Sequence, residues 1–249
     1  MEALNLKSKW IFKRKDMTSR KMRLFCLPYA GGGATVYRNW QNKLSEDIEV
    51  CPIQLPGREN RLYEPLIDNS KEMVDAIYEG IKDYLDCPFA IFGHSMGGVL
   101  AYELALKLEK NHKKPKVLFM SATTLDFDFA DKTISDFDDE HLKRYLIKSG
   151  GTVSEALMNK DFCNIYYPII RNDYKIIESY KCPRDKVSCE ICAFASKNDT
   201  QIPCCKTEDL KRYTNDFKIS YFNGNHFFLR SEEDKLCDFI NKELKERGY

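Results

Sequence analysis

The stretch "FAIFGHSMGGVLAYELALKLEK" (89–110) limits the fold of this chain more than any other. A short apolar run ends in Gly93-His94-Ser95-Met96-Gly97, and an Ala- and Leu-rich segment of helical character follows at once. Small residues two before and two after Ser95 let a strand and a helix approach without Cβ clashes. The stretch therefore predicts a strand that turns sharply into a helix, with Ser95 on the turn. The same alternation recurs along the chain. "RLFCLP" (23–28), "EVCPIQL" (49–55), "FAIFG" (89–93), "KVLFMSA" (116–122), "CEICAFA" (189–195) and "FKISYF" (217–222) read as strands. Met73, Ile77, Ile81 and Leu85 fall four apart and predict a helix over 70–85, and a final helix is expected over about 232–246. Strands alternating with helices imply an α/β fold whose mostly parallel central sheet is flanked by helices on both faces.

One stretch breaks this rhythm. Between Ala122 and about Lys186 no good strand is found, and "DDEHLKRYLIKSGG" and "SEALMNKDFCNIYYPIIRNDYKIIESY" read as helices broken at Gly150-Gly151. An excursion of this length, about 123–186, is expected to be a helical cap (lid) over a site rather than a second core. Residues 1–249 are thus expected to form a single domain.

Composition excludes several functions. The chain carries 39 Lys and Arg against 38 Asp and Glu, so the basic balance of a nucleic-acid-binding domain is missing and no nucleic-acid partner is expected. No apolar run approaches the roughly 18 residues of a membrane span, and no membrane partner is expected. The basic N-terminal stretch lacks the central apolar run of a secretory signal, which implies a cytoplasmic protein. Its Trp10-Ile11-Phe12 reads as an edge strand before a polar turn. The ten cysteines are scattered, several within apolar runs, and are expected to be reduced core thiols. Cys189 and Cys192 lie three apart on a strand and so point to opposite faces, which argues against a shared metal ion. The glycines of "GGGATV" lack the third glycine of a dinucleotide fingerprint, and no Walker phosphate loop is present.

A serine on such a turn suggests nucleophilic chemistry, which requires a base. Of the four histidines, His94 adjoins the serine but cannot readily fold back onto it, His112 lies in a polar segment and His141 in the predicted cap. His226 follows the last predicted strand, where the chain returns to the end of the sheet, and it is the expected base. A carboxylate must orient the imidazole, and two follow strands: Asp199 after 189–195, which is favoured, and Asp126 after 116–122 as the alternative. The backbone N–H of Met96, at the start of a helix, and that of Ala30 in "PYAGGGA" (28–34) are the expected oxyanion donors.

Taken together, "LFCLPYAGGGA", "QLPGRENR", "FGHSMGG", the Asp after "AFASKN" and "GNHFFL" resemble the type II thioesterases. These are the free-standing editing hydrolases of nonribosomal peptide and polyketide assembly lines, within the α/β-hydrolase superfamily. The chain is also similar to the animal medium-chain acyl thioesterase of fatty-acid synthesis. The resemblance covers about Trp10 to Leu229. By position it implies Ser95 as nucleophile, His226 as base, Asp199 as orienting acid, and donors at Ala30 and Met96. Related domains fused to synthases take their acid after the earlier strand, which keeps Asp126 as the alternative.

The implied substrate is an acyl thioester on the phosphopantetheine arm of an acyl or peptidyl carrier protein. Neither a metal nor an organic cofactor is implied, and a monomer is expected. Carriers tend to be acidic around the arm, so a basic rim is expected to steer them. Candidates are Lys143, Arg144 and Lys148 in the cap, and Arg58 and Arg61 in "PGRENR", where Arg58 serves equally well to hold its own loop. The rival readings are a carboxylesterase or lipase with the same triad, and a non-catalytic hydrolase-fold protein that binds acyl groups or partners.

Overall fold

Six runs of alternating or continuous apolar residues assemble into one sheet in which every pairing is parallel. The computed structural model describes residues 8–12, 20–127, 133–152 and 155–249. The strands are β1 (Met22–Leu27), β2 (Ile48–Pro52), β3 (Phe89–His94), β4 (Val117–Ser121), β5 (Glu190–Ser196) and β6 (Phe217–Phe222), in the spatial order β2-β1-β3-β4-β5-β6. The chain leaves β1 to one side, forms β2, and returns past β1 to form β3. β1 and β3 are therefore neighbours, with Leu27 opposite Gly93, while the segments that follow them diverge. A parallel sheet opens a crevice at such a reversal, at the carboxyl ends of its strands.

The helices follow from local signals. Asn69 caps α1 (Ser70–Ile81) by accepting from the Glu72 N–H at 3.1 Å, and the helix buries Met73, Val74, Ile77 and Ile81. It ends at Ile81 and tightens into a 3-10 turn before Leu85, earlier than the apolar spacing predicts. With α2 (Met96–Lys110) it covers the sheet face carrying Phe25, Leu27 and Ile91. The opposite face, with Leu24, Cys26 and Phe92, is covered by α7 (Glu233–Glu246) through Leu236, Ile240 and Leu244. Each such fully buried aliphatic side chain contributes about 2 kcal/mol of transfer free energy. Short turns α5 (Cys204–Glu208) and α6 (Phe228–Ser231) complete the loops after β5 and β6.

Between β4 and β5 the chain forms α3 (Asp139–Ser149) and α4 (Lys160–Glu178), with Gly150 ending α3 in the left-handed region. The segment has a small core of its own, in which Leu142, Leu146, Tyr167 and Ile170 meet. It is also anchored to the main body, since Ile176 and Ile177 near the end of α4 belong to the cluster under α1 and α2.

At the N-terminus the expected edge strand reduces to a single antiparallel bridge, Ile11 to Ile53, flanked by hydrogen bonds from Phe12 N–H to Pro52 C=O and from Gln54 N–H to Trp10 C=O. The polar turn expected next falls largely on 13–19, outside the described residues. No helix among the described residues is long and apolar enough to cross a membrane.

No disulfide joins any of the ten cysteines, and Cys189 and Cys192 lie in the clusters on opposite faces of the sheet. Burial pushes the Cys189 and Cys237 thiols up to about 12. Labelling of the native protein by a thiol reagent is therefore expected to begin at exposed Cys205. Cys26, Cys51, Cys189, Cys192 and Cys237 should react only on unfolding. Peptide mapping after timed alkylation checks this order, and early loss of any of the five would contradict the packing described.

Candidate active site

The turn between β3 and α2 is as sharp as its glycines permit. A Cβ on Gly93 would lie 2.0 Å from the Gly97 carbonyl oxygen, and one on Gly97 would lie 2.2 Å from that of Leu27. Both obstacles are backbone, so only glycine fits. Ser95 itself has φ +55°, a strained conformation for a non-glycine residue. It is held there by its N–H on the Ser121 carbonyl (2.8 Å), and by the Gly98 N–H (2.8 Å) and the Thr123 hydroxyl (2.9 Å) on its own carbonyl.

The loop after β6 brings His226 to this serine. His226 Nε2 lies 2.9 Å from Ser95 Oγ, and its Nδ1 lies 2.8 Å from Asp199 Oδ2 in the loop after β5. A carboxylate only accepts, so Nδ1 carries the proton and the Nε2 lone pair faces the serine hydroxyl. The other oxygen of Asp199 accepts from the N–H groups of Gln201 (2.8 Å) and Ile202 (2.9 Å), which fixes the carboxylate. Asp199 and His226 are both buried and Ser95 is partly exposed. A hydroxyl, an oriented imidazole and a fixed carboxylate in line can take a proton from the serine as it attacks.

The other candidates are placed elsewhere. Asp126 does not reach His226; its exposed side chain faces Arg212 at 3.9 Å. His112 lies on the surface in the turn after α2, and His141 pairs with Asp138 at 2.8 Å in the first turn of α3. The Met96 N–H directly follows Ser95, and Ala30 lies on the loop after β1, across the reversal between β1 and β3. Neither amide donates to another group among the described residues.

His94 is fully buried beneath the site, with 0% exposure. Its Nε2–H donates to the His226 carbonyl (2.9 Å), and its Nδ1 accepts from the Ser121 hydroxyl (2.9 Å). It thus holds the backbone of the histidine loop rather than the serine.

A cavity of about 730 Å³ opens at Ser95 and His226. Phe127, Ile134, Phe137, Tyr145, Tyr174 and Ile177 give it an apolar wall, and α3 and α4 supply part of that wall. A smaller cavity of about 230 Å³ lies beside Ala30 and shares Tyr174 and Ser149 with the first. The Tyr145 and Tyr174 hydroxyls meet at 3.0 Å.

The basic rim proposed from the sequence needs correction in part. Arg58 is 2% exposed and Arg61 4% exposed. Arg58 is spent on Asp173 of α4 and on backbone carbonyls, and Arg61 on Glu64 and the Gln54 carbonyl while stacked over Trp10. Neither presents charge to a partner. Lys143 is half-buried, and Arg144 and Lys148 are exposed on α3, with Lys148 at the rim of the large cavity. The sequence reading missed Asp173 altogether. Its signal was its place on the apolar stripe of α4, three residues from Ile170 and four from Ile177.

The thioesterase-domain family model matches residues 22–244. The chain is 34% identical over 242 residues to gramicidin S biosynthesis protein GrsT of Aneurinibacillus migulanus, covering 96% of this chain and 94% of that protein. It is 32% identical over 245 residues to the medium-chain S-acyl fatty acid synthase thioesterase of Homo sapiens, covering 94% and 91%. Among solved structures, the RedJ thioesterase from the prodiginine biosynthetic pathway of Streptomyces coelicolor superposes with a TM-score of 0.86 at 31% identity, covering 92% of each chain.

Burial, and secondarily the nearby His226, push the His94 imidazole well below its ordinary value of 6.5. The unfolded chain therefore binds a proton here that the folded chain does not, so stability falls as pH drops below about 6.5, by up to about 1.4 kcal/mol per pH unit. Urea unfolding of the wild type and of His94→Gln between about pH 8 and about pH 5 measures this share. Identical pH slopes in the two proteins would contradict it.

Proposed function

The chain belongs to the thioesterase family, with its α/β-hydrolase fold and its hydrolysis of thioester bonds, and we propose that its substrates are acyl groups on the phosphopantetheine arm of carrier proteins. The observation that carries this reading is the Ser95–His226–Asp199 hydrogen-bonded line at the mouth of an apolar cavity. Ser95 Oγ attacks the thioester carbonyl while His226 Nε2 takes its proton, and the Ala30 and Met96 N–H groups receive the oxyanion. The C–S bond breaks, and His226 returns the proton to the leaving sulfur. Water then attacks the acyl-enzyme with His226 as base, which releases the carboxylic acid and restores Ser95. Asp199 holds the imidazole in the required tautomer throughout. The reaction draws only on groups of the chain and on water.

The α3–α4 segment acts as the lid of a single hydrolase domain and lines the space for the acyl chain. The working assembly is this chain with a carrier, and the relatives named for gramicidin S and prodiginine biosynthesis support carriers of nonribosomal peptide or polyketide synthesis. The human relative supports a fatty-acid carrier by the same chemistry. Intact-mass analysis of a panel of acyl-carrier proteins after incubation with the enzyme tests the reading and reports carrier and acyl choice together. Ser95→Ala should lower turnover by about 10⁴-fold or more. Faster turnover of p-nitrophenyl esters than of acyl-pantetheine would favour an oxygen esterase instead, and undiminished hydrolysis by Ser95→Ala would remove the serine from the mechanism.

Lys143, Arg144 and Lys148 on α3 provide the remaining basic rim for an acidic carrier. The double reversal Lys143→Glu, Arg144→Glu is expected to raise KM severalfold for an acyl-carrier protein and to leave KM for an acyl-N-acetylcysteamine unchanged. Equal effects on both substrates would rule out docking at this rim.

A further inference from the structure

We infer that the buried Asp173–Arg58 pair is a positioning device for the oxyanion loop, through which helix α4 of the lid sets the direction of the Ala30 N–H. The inference rests on the reading of Ala30 as an oxyanion donor.

The loop after β1 contains a tight turn, Tyr29 to Gly32, closed by the Gly32 N–H on the Tyr29 carbonyl at 2.8 Å. Gly31 stands third in it with φ +75°, the value that a type II turn requires at that place. Type I and type II turns differ by a flip of their central peptide, here the one joining Ala30 to Gly31. The N–H of that peptide donates to Asp173 Oδ2 at 2.7 Å, which fixes the flip. The preceding peptide, Tyr29 to Ala30, is planar and trans, so its N–H points away from its carbonyl. That carbonyl is held inside the turn by the Gly32 N–H, and the Asp173–Arg58 pair keeps Gly32 in place, since Asp173 holds the N–H before it and Arg58 holds its carbonyl. The Ala30 N–H is consequently directed outward, and it finds no acceptor among the described residues.

Asp173 is itself fixed by the Gly31 N–H and by the Arg58 guanidinium, which is held in turn. Arg58 Nη1 and Nη2 donate to its two oxygens at 2.5 and 2.8 Å, and Nη1 also donates to the Gly32 carbonyl at 3.1 Å. Arg58 Nε reaches the Pro56 carbonyl at 3.2 Å. The carboxylate is 0% exposed, so the pair is isolated from solvent. α4 also backs directly onto the turn, since a Cβ on Gly31 would lie 2.7 Å from Ile170 Cγ1. An oxyanion donor is effective only if it is aimed before the charge develops. Asp173 meets neither substrate nor reacting atom; it acts through the peptide that it holds.

A purely structural ion pair would give the same contacts, so the test must separate folding from catalysis. In the double variant Asp173→Leu, Arg58→Met both charges leave together and none remains buried alone. It is expected to keep its unfolding transition and its KM for acyl-N-acetylcysteamine to within about threefold, while kcat falls about a hundredfold. The affinity for a trifluoromethyl ketone analogue, which forms the tetrahedral oxyanion, should fall by the same factor. A folded double variant with wild-type kcat and ketone affinity overturns the inference. Asp173→Asn supplies an independent arm, since it retains an oxygen for the Gly31 N–H and is expected to keep kcat within about tenfold. A folded Asn variant as slow as the double variant also overturns it. Ser95→Ala run alongside distinguishes the two claims: if it hydrolyses thioesters normally, the catalytic reading fails, whatever the Asp173 variants do.

Discussion

Two backbone segments pass closer at the start of α2 than any side chain would allow, and the site depends on that contact. Gly97 rests against the carbonyl that ends β1, and Gly93 against the first turn of α2. The contact fixes where the helix starts relative to the two central strands. It places the peptide after Ser95 beside the loop after β1 at the reversal of strand order. Strain at Ser95 is of the order of 1–3 kcal/mol, and the three hydrogen bonds that hold its backbone, each worth about 1 kcal/mol, are of the size needed to offset it. A looser turn would relieve the strain and move the hydroxyl out of reach of His226.

Beneath and above this turn, the site is supported by groups that do not take part in chemistry. His94 ties the Ser121 hydroxyl at the end of β4 to the carbonyl of His226, so the serine loop and the histidine loop share one buried bridge. Phe228 and Leu229 sink the chain after His226 into the core on the α7 side. Arg58 and Asp173 link the loops after β1 and β2 to α4. The buried polar groups in the first and last of these places have partners, which is what an environment of low dielectric requires of them.

Much of this was legible in the sequence, for identifiable reasons. Strands β1 to β5 are almost wholly buried on both faces, so their apolar character is nearly continuous and their bounds emerge within a few residues, while β6 at the sheet edge is only half-buried to exposed. The serine turn is legible because its glycines are required by local geometry. The sequence favours Asp199 but keeps Asp126 as an alternative, because both follow strands whose loops meet at one end of the sheet; only the packing of the loops puts Asp199 on His226 and turns Asp126 toward Arg212. Arg58 stood between a docking charge and a strut for its own loop for a related reason, and the structure makes it a strut. Whether an arginine is a surface charge or a buried strut depends on its partner, and that partner lies 115 positions away. Asp173 carried a local signal, a carboxylate on an apolar stripe, but nothing local says what it would meet.

The loops that build the site follow β1, β3, β5 and β6, and so the site draws on nearly the whole length of the chain. Ser95 can be raised on its turn as soon as the central strands pair, yet at that stage no histidine stands beside it. Asp199 arrives with β5, and His226 only after β6 has added to the edge and the following residues have docked under α7. Assembly during synthesis therefore keeps the serine unaccompanied until the C-terminal elements are in place. A chain halted or cut before them would carry the hydroxyl without the proton acceptor that faces it in the complete fold.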